Sequence, residues 1–265
     1  MDACPQNALA MRHDGLHVDR AKCKGCGTCA EVCPSTAIEL FGKNYTLEEL
    51  FEEVNKDRIF YLKSHGGVTV SGGEPTMQWK FLEKFLKLCK EHAIHTALDT
   101  CGFNTREVYE TLLPYTDLIL LDLKEMDPAK HKAFTGQDNA RILDNAKWLG
   151  QQNVEIWIRT PIIPNATATE ENIQAIGGFI RQYMPNVTRW ELCAFLNLCK
   201  NKYERLDIDW KYKDTELLDK GIMEHLTKVG QSTGVSCQVT WTGLFKIERG
   251  QQNLQSSAQK QGGTC

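Results

Sequence analysis

The hydrophobic pattern of this chain alternates between two rhythms. Short apolar runs bounded by polar residues or glycine predict strands at 67–70, 95–98, 117–121, 154–158 and 190–192. Between them, apolar residues at helical spacing predict helices at 78–92, from 105 onward, at 128–134 and 140–149, at 170–183 and at 215–229. A further helix is expected over 45–63, with Thr46 as its N-cap and Glu49 at the third helical position. Strands that alternate with helices imply βαβ units and a parallel sheet. Five strands are too few to close an eight-stranded barrel. From Gly250 the chain turns rich in Gln, Ser and Gly and reads as a disordered tail, 250–265.

Composition narrows the choice of class. With 42% apolar and 25% charged residues over 265 positions, the chain is globular, which sets aside disorder, collagen-like repeats and coiled coil for the whole. Thirty-one basic against 34 acidic side chains leave a net charge of −3, so no strong field favours nucleic acid or an anionic membrane. The apolar runs are short, as at 118–121, and predict no membrane span. The start of the chain lacks the basic-then-apolar order of a secretory signal. The expectation is a soluble, cytoplasmic protein without nucleic-acid or membrane partners.

Cysteine is the unusual residue. There are eleven, an odd number, and five lie within the first 33 positions, which points to metal rather than to disulfides. Cys23, Cys26, Cys29 and Cys33, followed by Pro34, form C-x2-C-x2-C-x3-C-P, the bacterial ferredoxin run. A structural zinc site is the alternative, but zinc usually takes two C-x-x-C pairs set well apart. In two-cluster ferredoxins the fourth cysteine of the run serves the other cluster. Cys23, Cys26 and Cys29 therefore need one more thiolate, and Cys4, followed by Pro5, is the candidate. Cys33 is left to a second cluster whose other cysteines would precede Met1. The sequence thus begins inside a cysteine motif, and Met1 is expected to be an internal methionine.

In parallel α/β folds ligands bind at the carboxyl ends of the strands. Those ends read Ser71-Gly72-Gly73-Glu74-Pro75, Asp99-Thr100-Cys101-Gly102, Asp122-Leu123-Lys124, Arg159-Thr160-Pro161 and Cys193-Ala194-Phe195. Singly, the two glycines are a tight turn and the charges are rim salt bridges. Together, Glu74, Asp99, Asp122, Lys124 and Arg159 suit a ligand bearing both a carboxylate and an ammonium group, an amino acid or its derivative.

These motifs resemble the radical S-adenosylmethionine enzymes, in particular the family that activates glycyl radical enzymes. The resemblance spans about residues 1–240 and includes Gly66 to Pro75, Asp99 to Gly102, Asp122 to Lys124, His131 with Thr135-Gly136, and Ile158 to Pro164. It implies a partial (β/α) barrel at 41–249 with a truncated ferredoxin-like 4Fe–4S module at 1–40. It implies cofactor contacts at Gly72, Gly73, Glu74, Asp99, Thr100, Asp122, Leu123, Lys124, Arg159 and Leu196. Among these the Gly-Gly-Glu loop would hold the amino group of S-adenosylmethionine. The Asp-x-Lys and Arg positions would lie near its carboxylate and ribose, and the Asp99–Thr100 pair would bind a monovalent cation. Metal ligation is assigned to Cys4, Cys23, Cys26, Cys29 and Cys33.

Two features depart from the family. Its C-x3-C-x2-C loop, which holds the catalytic cluster, is absent from these residues. Cys89, Cys101, Cys193, Cys199, Cys237 and Cys265 do not supply that spacing, and Cys89 and Cys101 read as structural. A nucleoside-contacting histidine found in many relatives is replaced by Leu196, which offers no hydrogen bond. The expected activity is reductive cleavage of S-adenosylmethionine, with the resulting 5′-deoxyadenosyl radical taking a hydrogen from a glycine of a partner enzyme. A reduced flavodoxin or ferredoxin would supply the electron. The chain as given is expected to be inactive alone. Two rivals are a ferredoxin-type electron carrier fused to a non-catalytic barrel, and a barrel enzyme working through Asp99, Asp122 and Lys124 with a zinc module in front.

Overall fold

The computed structural model describes residues 2–246; the expected tail at 250–265 lies outside the described residues. The chain divides into two units, 1–50 and 51–265. In the first, Leu9–Arg12 (β1) and Gly15–Val18 (β2) form an antiparallel hairpin that the sequence reading did not anticipate. Its link is only His13-Asp14, and Gly15 follows at φ +131°, a backbone angle that favours glycine. The cysteine run that comes next holds one short helix, Thr28–Glu31.

The second unit is built on six parallel strands in unbroken sequence order: Gly67–Val70 (β3), His95–Thr100 (β4), Leu118–Asp122 (β5), Glu155–Ile162 (β6), Val187–Ala194 (β7) and Gln238–Thr242 (β8). Helices Trp79–Glu91, Arg106–Leu112, Ala140–Leu149, Glu170–Tyr183 and Lys220–Ser232 lie between successive strands. Right-handed crossovers that always step the same way put these helices on one face of the sheet. The burial pattern agrees: Ile156, Ile158, Thr160 and Ile162 of β6 are fully buried, whereas Trp157, Arg159 and Pro161 between them are half-buried. The core beneath the helices is closed by Leu98, Ile119, Leu121, Leu149, Ile173, Ile176 and Trp190. This is a partial (β/α) barrel. No described helix is long and apolar enough to cross a membrane.

The structure corrects several expectations about individual elements. Among the described residues the parallel sheet has six strands, not five: Gln238–Thr242 was missed, although Val239 is buried and its polar neighbours alternate with it. The helix expected over 45–63 is two helices, Leu47–Asn55 and Arg58–Ser64. Its start is as anticipated, because Thr46 N–H donates to the Glu49 carboxylate at 2.9 Å and Glu49 N–H to the Thr46 hydroxyl at 3.2 Å. The helix expected from 215 begins at Lys220, since Asp219 is extended and bridges to Lys246, whose N–H donates to Leu218 O at 2.9 Å.

Strand β6 runs on to Ile162, so Arg159 sits within the strand rather than at its end. Beyond the Asp122–Arg159 pair, β6 keeps β7 as its only strand partner, a half-free position in which Pro161 costs little.

Candidate active site

Five strands bring their polar residues to one cavity of about 240 Å³. It is lined by Ser71, Gly72, Gly73, Asp99, Thr100, Cys101, Asp122, Lys124, Arg159, Pro161 and Cys193. Period-2 alternation puts Asp99, Asp122, Arg159 and Cys193 on the face that the helices leave open. Gly72 holds a φ of +137°, and a Cβ on Gly72 or Gly73 would meet no protein atom. The loop after β3 thus gives the cavity a bare backbone wall.

A belt of hydrogen bonds and ion pairs crosses the sheet. Ser71 Oγ donates to Asp99 Oδ2 at 2.8 Å. Arg159 Nη1 reaches both Asp99 oxygens at 3.2 Å, and its Nε lies 3.8 Å from Glu191 Oε2. Lys124 Nζ is 3.1 Å from Asp122 Oδ2. Burial raises the Asp122 carboxyl above its ordinary value, and the Lys124 ammonium only partly offsets that. Burial likewise raises the Cys193 thiol, against the opposing pull of Arg159.

Glu74 is placed differently from Asp99 and Asp122. Its Oε1 accepts from Thr76 N–H at 3.2 Å, Thr76 hydroxyl at 2.6 Å and Thr100 hydroxyl at 2.8 Å; its Oε2 accepts from Cys101 N–H at 2.8 Å. Burial by itself would raise this carboxyl. The bonds from Cys101, Thr76 and Thr100 outweigh burial and hold it below its ordinary value. Glu74 thus ties the glycine loop to the end of β4, with three protein donors on Oε1 and one on Oε2.

The structure brings Gly72, Gly73, Asp99, Thr100, Asp122, Lys124 and Arg159 together. Glu74, Leu123 and Leu196 are not among the lining residues; Leu123 packs in the core with its N–H donating to Arg159 O at 3.1 Å. Thr100 and Asp99, the pair suggested for a cation, are engaged by Glu74, Ser71 and Arg159. Cys101, read as structural, lines the cavity, and burial beside Glu74 pushes its thiol up to about 11. Glu191 was not singled out, although its alternation with buried Trp190 and Leu192 puts it on the Arg159 face.

The five metal-assigned cysteines behave otherwise. Cys4 is buried and accepts from Ala8 N–H at 3.3 Å, while Cys23 accepts from Gly25 N–H at 3.4 Å. Cys26 pairs with Thr28 Oγ1 at 3.5 Å and Cys33 with Ser35 Oγ at 3.6 Å. The bond from Thr28 holds the Cys26 thiol below its ordinary value. Among the described residues no three His, Cys, Asp or Glu side chains form a group that could hold a metal ion. The expected convergence of Cys4, Cys23, Cys26 and Cys29 is therefore not met: each of these contacts turns a thiol to a neighbour in its own stretch of chain. The all-thiolate donor set fits an iron–sulfur cluster in chemistry but not in arrangement.

Residues 21–175 match the Radical SAM superfamily. The chain is 40% identical over 207 residues to the pyruvate formate-lyase-activating enzyme of Clostridium pasteurianum, covering 77% of this chain and 86% of that protein. It is 35% identical over 244 residues to the (2S)-3-sulfopropanediol dehydratase activating enzyme of Klebsiella oxytoca, covering 90% and 77%. A crystal structure of a domain of pyruvate-formate lyase-activating enzyme from Bacteroides vulgatus ATCC 8482 superposes with a TM-score of 0.57 at 25% identity, over 67% of this chain and 99% of that one.

The parallel sheet with its strand-end cavity is thus that of a radical S-adenosylmethionine enzyme. Within that superfamily the chain belongs to the glycyl-radical-enzyme activating enzymes, whose cofactors are S-adenosylmethionine and a 4Fe–4S cluster.

Proposed function

We propose that the cavity binds the amino-acid end of S-adenosylmethionine and that the chain serves the activation of a glycyl radical enzyme. The observation that carries this reading is the meeting of Asp122 and Lys124 with Asp99 and Arg159 on one cavity beside a bare glycine loop. A volume of about 240 Å³ is just under the usual ligand-pocket range of about 300–1,000 Å³ and suits the zwitterionic part of the ligand. Lys124 has one donor toward Asp122 and two more for a ligand carboxylate. The raised Asp122 carboxyl gains most from a cation placed against it, which suits the ligand ammonium. Gly72 and Gly73 offer backbone carbonyls without side chains in the way. Arg159, held between Asp99 and Glu191, fixes the far wall.

When bound, the cofactor and its cluster supply hydrogen-atom abstraction; the residues here bind and orient. A glycyl radical enzyme is the protein substrate, and a reduced flavodoxin or ferredoxin supplies the electron. Residues 1–40 carry the ferredoxin-type cysteine run, and Cys4, Cys23, Cys26, Cys29 and Cys33 would serve an auxiliary cluster only in an arrangement different from the one described above. These 265 residues contain no C-x3-C-x2-C run, so a chain made of them alone does not cleave the cofactor.

Equilibrium dialysis with labelled S-adenosylmethionine tests the reading. The wild-type chain is expected to retain the ligand, and Lys124→Ala to weaken retention about tenfold or more, as loss of a charge-assisted bond does. Absence of binding, or a Lys124→Ala chain that binds as well as wild type, would overturn it.

A further inference from the structure

The turn that carries Lys124 into the cavity is gripped by two buried asparagines, and the geometry points to Asn172 as a positioning residue for the Lys124 ammonium. After Leu123 the chain leaves the sheet, so the backbone groups of 124–127 need partners elsewhere. Asn172, 4% exposed in the first turn of Glu170–Tyr183, supplies two of them. Its Nδ2 donates to Lys124 O at 2.9 Å and its Oδ1 accepts from Met126 N–H at 3.0 Å. Asn139, 3% exposed, donates from Nδ2 to Glu125 O and Met126 O, both at 2.9 Å.

The two asparagines divide the task, and only Asn172 touches Lys124. One planar amide gives there a donor and an acceptor on either side of Glu125. A carboxylate of the same shape cannot donate to Lys124 O. Asn172 is fixed in turn, because its own N–H donates to the hydroxyl of the helix N-cap Thr169 at 3.2 Å. Neither asparagine lines the cavity, so Asn172 acts on the ligand through Lys124. Its reach from a different βα unit ties the lysine's backbone to the helix that follows β6. This inference rests on the reading of the cavity above and adds a residue which that reading does not use.

The test measures S-adenosylmethionine affinity by equilibrium dialysis, together with the melting temperature, for the 265-residue chain and its variants. Asn172→Ala and Asn172→Asp should weaken binding about three- to tenfold. In a Lys124→Ala background the same changes should cost nothing further, the signature of two residues acting as one. Asn139→Ala should lower the melting temperature yet leave affinity within about twofold. Where Asn172→Ala does not fold, Asn172→Asp, which keeps the acceptor for Met126, carries the comparison.

Equal affinity losses in the Asn139 and Asn172 variants that follow the melting temperature would overturn the inference. So would an Asn172 effect that persists undiminished without Lys124. A Lys124→Ala loss with unaffected Asn172 variants overturns this inference alone. No wild-type binding, or no Lys124→Ala effect, overturns the cavity reading and this inference with it.

Discussion

Glu74 Oε2 accepts the backbone N–H of Cys101 at 2.8 Å, a bond that joins the loop after β3 to the end of β4 across 27 residues of chain. With the Thr76 and Thr100 bonds to Oε1, this carboxylate holds the glycine wall of the cavity in place. Glu74→Ala leaves the Thr100 hydroxyl and the Cys101 N–H without their acceptor, a cost of about 1–3 kcal/mol. The expected outcome is a lower melting temperature together with weaker S-adenosylmethionine retention, read by calorimetry and dialysis on the same preparation. An Ala variant with unchanged melting would show that the bonds do not stabilise the fold.

The same carboxylate sets an acid dependence. Its folded value lies below the ordinary one, so it contributes stability at pH above about 4.3, the unfolded value. That stability is lost as pH falls through the folded value. Urea midpoints measured from pH 7 downward should therefore fall more steeply below pH 4 to 5 in wild type than in Glu74→Gln. Parallel curves would contradict the assignment.

Asp122 has the opposite sign. Burial raises its carboxyl, so the ionised group costs stability at neutral pH, and the cost fades as acid protonates it. Asp122→Asn should raise the melting temperature at pH 7, with the gain shrinking toward pH 4. The same variant should bind S-adenosylmethionine less well, because an amide does not pair with the ligand ammonium. A variant destabilised at pH 7 would mean that the Lys124 pair outweighs the burial cost.

Gly67 opens β3 opposite His95, and a Cβ there would run into the His95 carbonyl. Gly67→Ala is expected to lose about 1–3 kcal/mol through forced backbone displacement. It should also weaken ligand retention, because β3 carries Ser71, Gly72 and Gly73. Chemical denaturation gives the first quantity and dialysis the second. Wild-type values in both would show that the strand absorbs the methyl group without moving.

Reconstitution with iron and sulfide followed by reduction checks the catalytic inference. The 265-residue chain is expected to yield no 5′-deoxyadenosine, since it offers no C-x3-C-x2-C run. Turnover by this chain would overturn that expectation.

The sheet was legible where strands are apolar and bounded by glycine or charge, as at Leu118–Asp122 and Gly67–Val70. The cavity was legible because most of its groups sit at or just beyond strand ends, where topology alone predicts a ligand; Arg159, three residues inside β6, was reached because the strand was expected to stop at 158. What escaped was long-range or short. Asn172 lies 48 residues from Lys124, and nothing local marks an asparagine in a helix's first turn as a backbone partner. The bonds from Thr100 and Cys101 to Glu74 were not legible, because a loop carboxylate shows no partner until β4 lies beside it. The short strand Gln238–Thr242 has too few apolar residues to stand out, and Glu191 lay hidden inside a run of buried neighbours.

Strand order has a consequence for how the protein is made. The strands lie side by side in the order in which a ribosome releases them, because synthesis runs from the N-terminal side. Asp99 and Asp122 therefore emerge before Arg159, the cation that lies against Asp99 in the finished sheet. Until β6 leaves the exit tunnel, the released chain carries Asp99 and Asp122 with Lys124 as the cation that will share their cavity. The arrival of Arg159 supplies the second cation of the nascent edge, and the binding wall becomes complete only with β7, which adds Glu191 and Cys193.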